Sequence, residues 1–403
     1  MLDIWPALPL IICGNEDFQA RWVDNIVAVL KHRDRVCQID LAIFQTSVWE
    51  KYLAALQQPF PELTILRLWW NDDSLGVADS FLGGIAPRLE DLDLSGISFL
   101  GLPKLLLSAT HLVRLRLHYI PHSGYISPDA MAAALSTLTS LEELLLKFNS
   151  PESCPDLETR RPPPSTRSVL PVLKYFDFKG ASEYLEDLVT DIDAPQLNIL
   201  KIKFFNDVVF DTPHLIHFIG RTPLSNSLEK AYITPAYSTT CVAFRSNIDG
   251  YVELKVSILC EGLNWQLSSV EQVCTSCLPF LSTLKNLYIH EHPFSLDLED
   301  NSHNIENTVW LELLHPFTAV KNLHISEKIA LRIGPALQVL VRGSAGTEVL
   351  PILENIFFER FHSPEDVEEG IGQFVAARQV SSHRVTVSYW HSWTKDMAGI
   401  LNY

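Results

Sequence analysis

The chain has 403 residues, of which 47% are hydrophobic and 20% charged, and its formal net charge is −17 at pH 7. Nucleic acids and anionic membrane surfaces attract basic proteins, so this charge argues against both as partners. The negative charge is compatible with a basic protein partner. It is also compatible with a charge that only keeps the protein soluble.

The sequence also predicts neither a membrane span nor a secretory signal. Charges and prolines interrupt the longest apolar runs, so no membrane span is predicted. The first residues include Asp3, Pro6 and Pro9 and lack the basic start of a secretory signal. The seven cysteines are therefore expected to be reduced thiols in an intracellular protein, cytoplasmic or nuclear.

Residues 1–35 are predicted to form an N-terminal cap. Within 16–32, Phe18, Trp22 and Ile26 recur at helical spacing, which gives a helix one apolar face.

From residue 36 onward the chain repeats a six-residue phrase with apolar residues at its first position and at positions +3 and +5. Leu89, Leu92 and Leu94 form one copy. The twelve copies begin at residues 36, 63, 89, 112, 141, 173, 197, 228, 251, 284, 320 and 353. Positions +3 and +5 lie on one face of an extended strand, and parallel stacking of such strands buries that face. A phrase at a roughly constant step therefore predicts a stack of similar units over 36–361.

The segments between phrases favour helices. Ser127 precedes Pro128 and a run of helix formers, the usual start of a helix. The segments 46–57, 267–281 and 364–378 also have helical spacing. Alternating strand and helix resembles the leucine-rich-repeat class. That resemblance implies an α/β solenoid with a parallel sheet on its concave face and helices and loops on its convex face. The repeat is irregular, because its usual Asn or Cys is present only at Asn71 and Asn149.

Two segments depart from the stack. The polar segment 149–168 contains five prolines and is predicted to be a loop, with a proline-rich docking motif as the alternative. Residues 362–403 are predicted to add a helix and an alternating strand, 383–390, that closes the sheet edge. The whole chain is interpreted as one elongated domain.

The residue at position +4 of each phrase points away from the core, and these residues together form the inner column. Its first four members, Asp40, Arg67, Asp93 and Arg116, alternate in sign, which supports the register and fits a solvated charge ladder. Later members are aromatic, and exposed aromatic residues are typical of protein-binding hot spots. The candidate partner-binding residues are Arg67, Trp69, Arg116, Tyr175, Lys201, Tyr232, Lys255, Tyr288, His290, His324 and Phe357. The alternative is that a long C-terminal loop covers them.

No enzyme motif is present, and no cofactor is expected. Cys274 and Cys277 are a lone pair without the second pair that a zinc site needs, so packing in a helix is the favoured interpretation. His290 and His292 share a face only if the strand continues, and Pro293 argues against that, so no metal site is predicted.

The chain also resembles the repeat region of fungal F-box proteins, particularly those of mushroom-forming species. The segments that carry the resemblance are 2–10, 61–68, 194–202 and 377–387. It implies that the repeats hold a protein for ubiquitination. The F-box pattern itself is not found, so binding to a cullin-type ligase adaptor is expected only if an F-box precedes Met1. The leading hypothesis is the substrate-recognition part of such a ligase receptor, and the alternative is a stand-alone interaction scaffold.

Overall fold

The structure is a computed structural model that describes residues 8–14, 20–70, 76–151, 167–205, 212–236, 238–246, 252–260, 262–277, 279–290, 307–342, 349–359, 365–380 and 384–390. The chain divides into two compact units, residues 1–197 and 198–403. Most of the predicted loop 149–168 and part of the predicted C-terminal segment lie outside the described residues. The predicted boundaries of cap, solenoid and C-terminal segment stay predictions.

The first unit alternates strands and helices. Its elements are β1 (Leu10–Gly14), α1 (Ala20–Leu30), β2 (Val36–Ile43), α2 (Thr46–Leu56), β3 (Ile65–Trp70), β4 (Asp91–Ser95), α3 (Leu102–Leu106), β5 (Arg114–Ile120), α4 (Pro128–Leu135), β6 (Glu143–Phe148), β7 (Ser168–Val169), β8 (Tyr175–Gly180), α5 (Ser182–Asp191) and β9 (Ile192–Asp193). Short 3-10 helices span Phe81–Gly84 and His122–Gly124. The main sheet is parallel, in the order β1-β2-β3-β4-β5-β6-β8, and β7 pairs with β9.

The repeated phrase accounts for the core of this sheet. The side chains at positions +3 and +5, such as Leu66 and Leu68 in β3, are buried, as is the leucine or valine that opens each phrase. Residues at +4 lie on the opposite face. The Ser127 side chain accepts a hydrogen bond from the Ala130 amide at 3.3 Å, which caps α4 where the sequence predicts a helix start.

Gly96 directly follows β4 and has a backbone conformation and surroundings that exclude a side chain. Its φ is +69°, and a Cβ there would lie 2.1 Å from the carbonyl oxygen of Trp70. Close approach of the neighbouring strand therefore requires glycine at this position.

The second unit contains β10 (Ile199–Phe205), α6 (Pro213–Gly220), α7 (Leu224–Ser227), β11 (Lys230–Pro235), β12 (Thr239–Arg245), β13 (Glu253–Leu259), α8 (Leu263–Cys277), β14 (Asn286–Ile289), α9 (Asn307–Leu314), β15 (Asn322–Ile325), α10 (Glu327–Arg342), β16 (Asn355–Glu359), α11 (Glu365–Val380) and β17 (Thr386–Trp390). A 3-10 helix spans Pro279–Thr283. The order of its sheet is β10-β13-β12-β11-β14-β15-β16-β17.

This strand order differs from the order that the sequence predicts. The phrase pattern puts β11 next to β10, whereas β13 pairs with β10 and β12 lies between β13 and β11, antiparallel to both. Strand β12 lacks the phrase, so the pattern could not find it. Its segment Thr-Thr-Cys-Val-Ala-Phe-Arg is nevertheless rich in β-branched and aromatic residues, and short connections join it to both neighbours as hairpins.

The predicted α/β class of the leucine-rich-repeat type is confirmed. Both units contain parallel strands with buried +3 and +5 positions, and helices connect many of these strands. No helix among the described residues is long and apolar enough to cross a membrane.

Candidate functional site

The inner column of the first unit has the register that the sequence predicts. Its successive Cα partners are Asp40, Arg67, Asp93, Arg116, Leu145 and Asp177. The alternating charges therefore lie side by side on the sheet face opposite the leucine core.

The centre of this charged face is Asp91, one row before the inner column and fully buried. Its carboxylate accepts hydrogen bonds from Arg67 at 2.7 Å, Arg114 at 3.0 Å and Arg116 at 3.5 Å. Arg116 also donates two bonds of 2.8 Å to Glu143. Sequence reasoning missed Asp91, although Asp91, Arg114 and Glu143 alternate in sign just as the inner column does. Both predicted arginines are thus held in fixed positions.

Asp93 has a different environment, two residues further along the same strand. It is only 5% exposed, and no described residue hydrogen-bonds its Oδ1. Two basic side chains lie near it: Arg116 at 4.0 Å, and His118, whose Nε2 lies 3.9 Å from that Oδ1. Burial raises the pKa of Asp93 to about 6, although Arg116 opposes the shift. Burial likewise lowers the pKa of His118, as does the charge of Lys147.

Aromatic side chains border the charged network. Trp69 is 48% exposed, and the row of Cα partners Trp69, Ser95 and His118 places Ser95 between the two rings. The Trp69 and His118 ring centroids are 6.5 Å apart at an interplanar angle of 24°. Tyr119 is 57% exposed, and the Nζ of Lys179 lies 6.0 Å from its ring centre.

Tyr175 is half-buried and fixed by a neighbouring ion pair. Its hydroxyl donates to Asp177 at 3.3 Å, and Asp177 pairs with Lys147 at 2.7 Å. This predicted site residue therefore belongs to the same charged face as Arg67 and Arg116.

In the second unit, strand order changes the neighbours of the predicted residues. Lys201 faces Lys255 directly, and Ala243 separates Lys255 from Tyr232. The buried carboxylate of Glu253 interacts with two cations. It lies 3.9 Å from the Lys201 amine and accepts hydrogen bonds of 2.8 and 2.9 Å from Arg245. This carboxylate offsets the repulsion that paired lysines would otherwise cause.

The aromatic members of the second unit form one stack. Tyr232, Tyr288, His324 and Phe357 are successive Cα partners. Their ring centroids are separated by 4.6, 4.1 and 4.5 Å, and their planes differ by no more than 14°. Burial lowers the pKa of His324 to about 4, and the charge of Lys230 adds to that shift. His324 is therefore neutral at pH 7.

The expected exposure does not hold for two predicted site residues. Tyr232 is 3% exposed, because it packs with Cys241, Ala243 and Tyr288 and because the Arg245 guanidinium lies 5.6 Å from its ring centre. His290 is 6% exposed and hydrogen-bonds Thr234 at 3.0 Å. Tyr288, His324 and Phe357 are partly exposed.

An asparagine ladder runs beside this stack. Asn322 donates to Asn286 and Asn355 donates to Asn322, both at 2.8 Å. The sequence carries this signal as an asparagine at position +2 of three successive phrases.

No group of three His, Cys, Asp or Glu residues suited to a metal occurs within the described part of the chain. Cys274 is buried in α8, as the packing interpretation expects. His292 and the side chain of Cys277 lie outside the described residues.

Comparisons with known proteins give similarities to solved structures only. No protein-family model matches the chain, and no curated protein matches it. Among solved structures, the leucine-rich repeat-containing protein LegL7 from Legionella pneumophila is similar at 11% sequence identity. The alignment covers 80% of this chain and 93% of that one, with a TM-score of 0.31.

Proposed function

We propose that this chain is a non-catalytic protein-binding module and that the charged face of the first unit contacts the partner. The observation that carries the proposal is the exposure of Trp69 beside a network of fixed charges. A tryptophan half-exposed on a sheet face gives a partner a large apolar surface, and tryptophan is enriched in binding hot spots.

The surrounding charges suit an interface because they are already ordered. Arg67 and Arg116 are held by buried Asp91, so few side chains lose conformational freedom when a partner docks. Partner groups that complement this face would gain specificity from the fixed sign at each position. In the second unit, the partly exposed Tyr288, His324 and Phe357, together with Lys201 and Lys255, are proposed as further contact residues.

Site-specific photocrosslinking tests the proposal. A photoreactive phenylalanine analogue is placed at position 69 and, as the control, at position 265, where Trp265 is 65% exposed in the second unit. In cells that express the chain, we expect a discrete protein adduct from position 69. Equal adducts from both positions, or none from position 69, would reject the proposed face.

A more specific form of the proposal is the substrate-recognition part of an F-box-type ubiquitin ligase receptor, with the adaptor bound through an F-box preceding Met1. Its support is the sequence resemblance to fungal F-box repeat regions. A stand-alone interaction scaffold is the alternative. Within the described residues, Leu8 and Pro9 lead into strand β1 rather than into a helix. An F-box begins with helical structure, so this Leu-Pro pair does not start one.

The half-life of the crosslinked partner separates the two forms. A ligase receptor shortens that half-life when the chain is overexpressed, and proteasome inhibition restores it. A scaffold leaves the half-life unchanged. Co-purification of a cullin adaptor with the full-length gene product would support the receptor, and its absence would support the scaffold.

A further inference from the structure

The row Trp69, Ser95 and His118 places two nearly parallel rings on the face of the first unit, and the space between them is called the slot. The two aromatic rings lie on strands that flank β4, and small Ser95 lies between them at the floor. Their centroids are 6.5 Å apart, whereas the closed stacks of the second unit have spacings of 4.1 to 4.6 Å. A planar group in contact with both rings needs about 7 Å, given contacts of about 3.5 Å on each side. Small side-chain rotations would therefore admit one planar group.

A carboxylate lies beside the His118 ring of this slot. The Asp93 side chain is 7% exposed, and its Oδ1 is turned toward His118, with 3.9 Å between the Oδ1 and the Nε2. No described residue hydrogen-bonds that oxygen. A buried carboxylate oxygen without a donor costs free energy, so a donor that reaches this oxygen once the rings of Trp69 and His118 move apart would be favoured there.

We propose that the slot binds the guanidinium of an arginine side chain from a basic partner segment, stacked between Trp69 and His118 and donating to Asp93. Guanidinium is planar, stacks on aromatic rings and gives up its hydration more readily than an ammonium ion. An aromatic side chain would fill the slot without meeting the carboxylate, and a lysine would meet the carboxylate without filling the slot. The net charge of −17 also favours a basic partner.

This inference rests on the proposed function, because it names the chemistry that the same face recognises. It gives Asp93 a role in binding, whereas Asp91 maintains the fold of the face.

The test uses the full chain labelled with 5-fluorotryptophan and fluorine NMR, with the Trp69 resonance assigned from a Trp69→Phe variant. Three capped tripeptides are titrated: Ser-Arg-Ser, Ser-Lys-Ser and Ser-citrulline-Ser. Citrulline keeps the planar shape and loses the charge, and lysine keeps the charge and loses the planar shape. We expect a saturable shift of the Trp69 resonance with the arginine peptide, and affinities at least tenfold weaker for the other two.

Variants locate the binding. Asp93→Asn is expected to weaken binding of the arginine peptide about tenfold. His118→Leu removes one ring but keeps an apolar side chain, and it is expected to weaken binding severalfold. The control Trp265→Phe is expected to leave it unchanged. Circular dichroism of each variant verifies folding. Equal affinity for arginine and citrulline, equal affinity for arginine and lysine, or no shift at Trp69 would each overturn the slot.

The two proposals can fail separately. A protein adduct from position 69 together with no arginine preference would leave the proposed function standing and overturn the slot. A specific arginine shift together with no adduct from position 69 would leave the slot standing and overturn the proposed interface.

Discussion

Replacing Asp91 with asparagine tests whether one buried carboxylate organises the charged face. The wild-type carboxylate is fully buried and accepts from Arg67, Arg114 and Arg116. Removing one partner of a buried ion pair typically costs about 3–5 kcal/mol. The arginine side chains are 22% to 40% exposed and can turn to water, so we expect the lower end, about 3 kcal/mol.

Urea denaturation followed by fluorescence measures the change. A loss of about 3 kcal/mol lowers the midpoint by roughly 1 M if the urea dependence of the unfolding free energy is about 3 kcal/mol per M. Asp24→Asn is the matched control, since Asp24 pairs with Lys51 at 3.1 Å with both side chains more than half exposed. The control should cost less than about 1 kcal/mol. Similar losses for the two variants would refute the organising role of Asp91.

Three further substitutions test the contributions of Asp93, Asn322 and His324 to stability. Because burial raises the pKa of Asp93 from 3.8 to about 6, the folded state keeps a proton that the unfolded state releases, and stability falls as pH rises through that window. Asp93→Asn should therefore be more stable than wild type at pH 7.5, by up to about 3 kcal/mol, and equal to it near pH 4; a constant difference in urea midpoints across pH would contradict this. Asn322→Ala interrupts the amide ladder and should cost about 1–3 kcal/mol in thermal unfolding, whereas no change would mean that the ladder adds nothing. Because burial lowers the pKa of His324 from 6.5 to about 4, wild-type stability is complete above pH 6.5 and declines as pH falls toward 4. His324→Phe should remove up to about 3 kcal/mol of that decline, and an identical decline in wild type and variant would exclude His324 as its source.

The sequence predicts the first unit well because its phrases follow one another in space. Each phrase begins with a buried aliphatic residue and places two more buried apolar residues on one face, so the period of the strand fixes which residues face outward. The column from Asp40 to Asp177 follows directly from that alternation.

The second unit is less predictable, because the same phrase does not specify which strand is next. Strand β12 has no leucine phrase, and its two hairpins exchange the places of Tyr232 and Lys255 in the column. The burial of Tyr232 follows from its contacts with Cys241 and Ala243 on that inserted strand. Such contacts depend on strand order, and periodicity alone does not determine it.

The sequence predicts the hydrogen-bond network of the charged face only in part. The sequence supplies alternating charges, but which carboxylate is buried depends on the arginines of both adjacent strands. Asp91 and Asp93 are both aspartates on the same face of the sheet. Only the structure shows that Asp91 accepts hydrogen bonds from arginines, whereas the Oδ1 of Asp93 has no donor among the described residues.

A distance between spin labels tests the central claim that successive phrases form adjacent strands of one continuous face in the first unit. Cysteines replace Asp40 and Asp177 in a background without the seven native cysteines, and double electron–electron resonance measures the separation of the attached labels. The two positions are five strand steps apart, so their backbones should be about 24 Å apart at about 4.8 Å per step. A single narrow distribution near this value is the expected result. A distribution centred beyond about 40 Å, or one without a defined maximum, would contradict the continuous face.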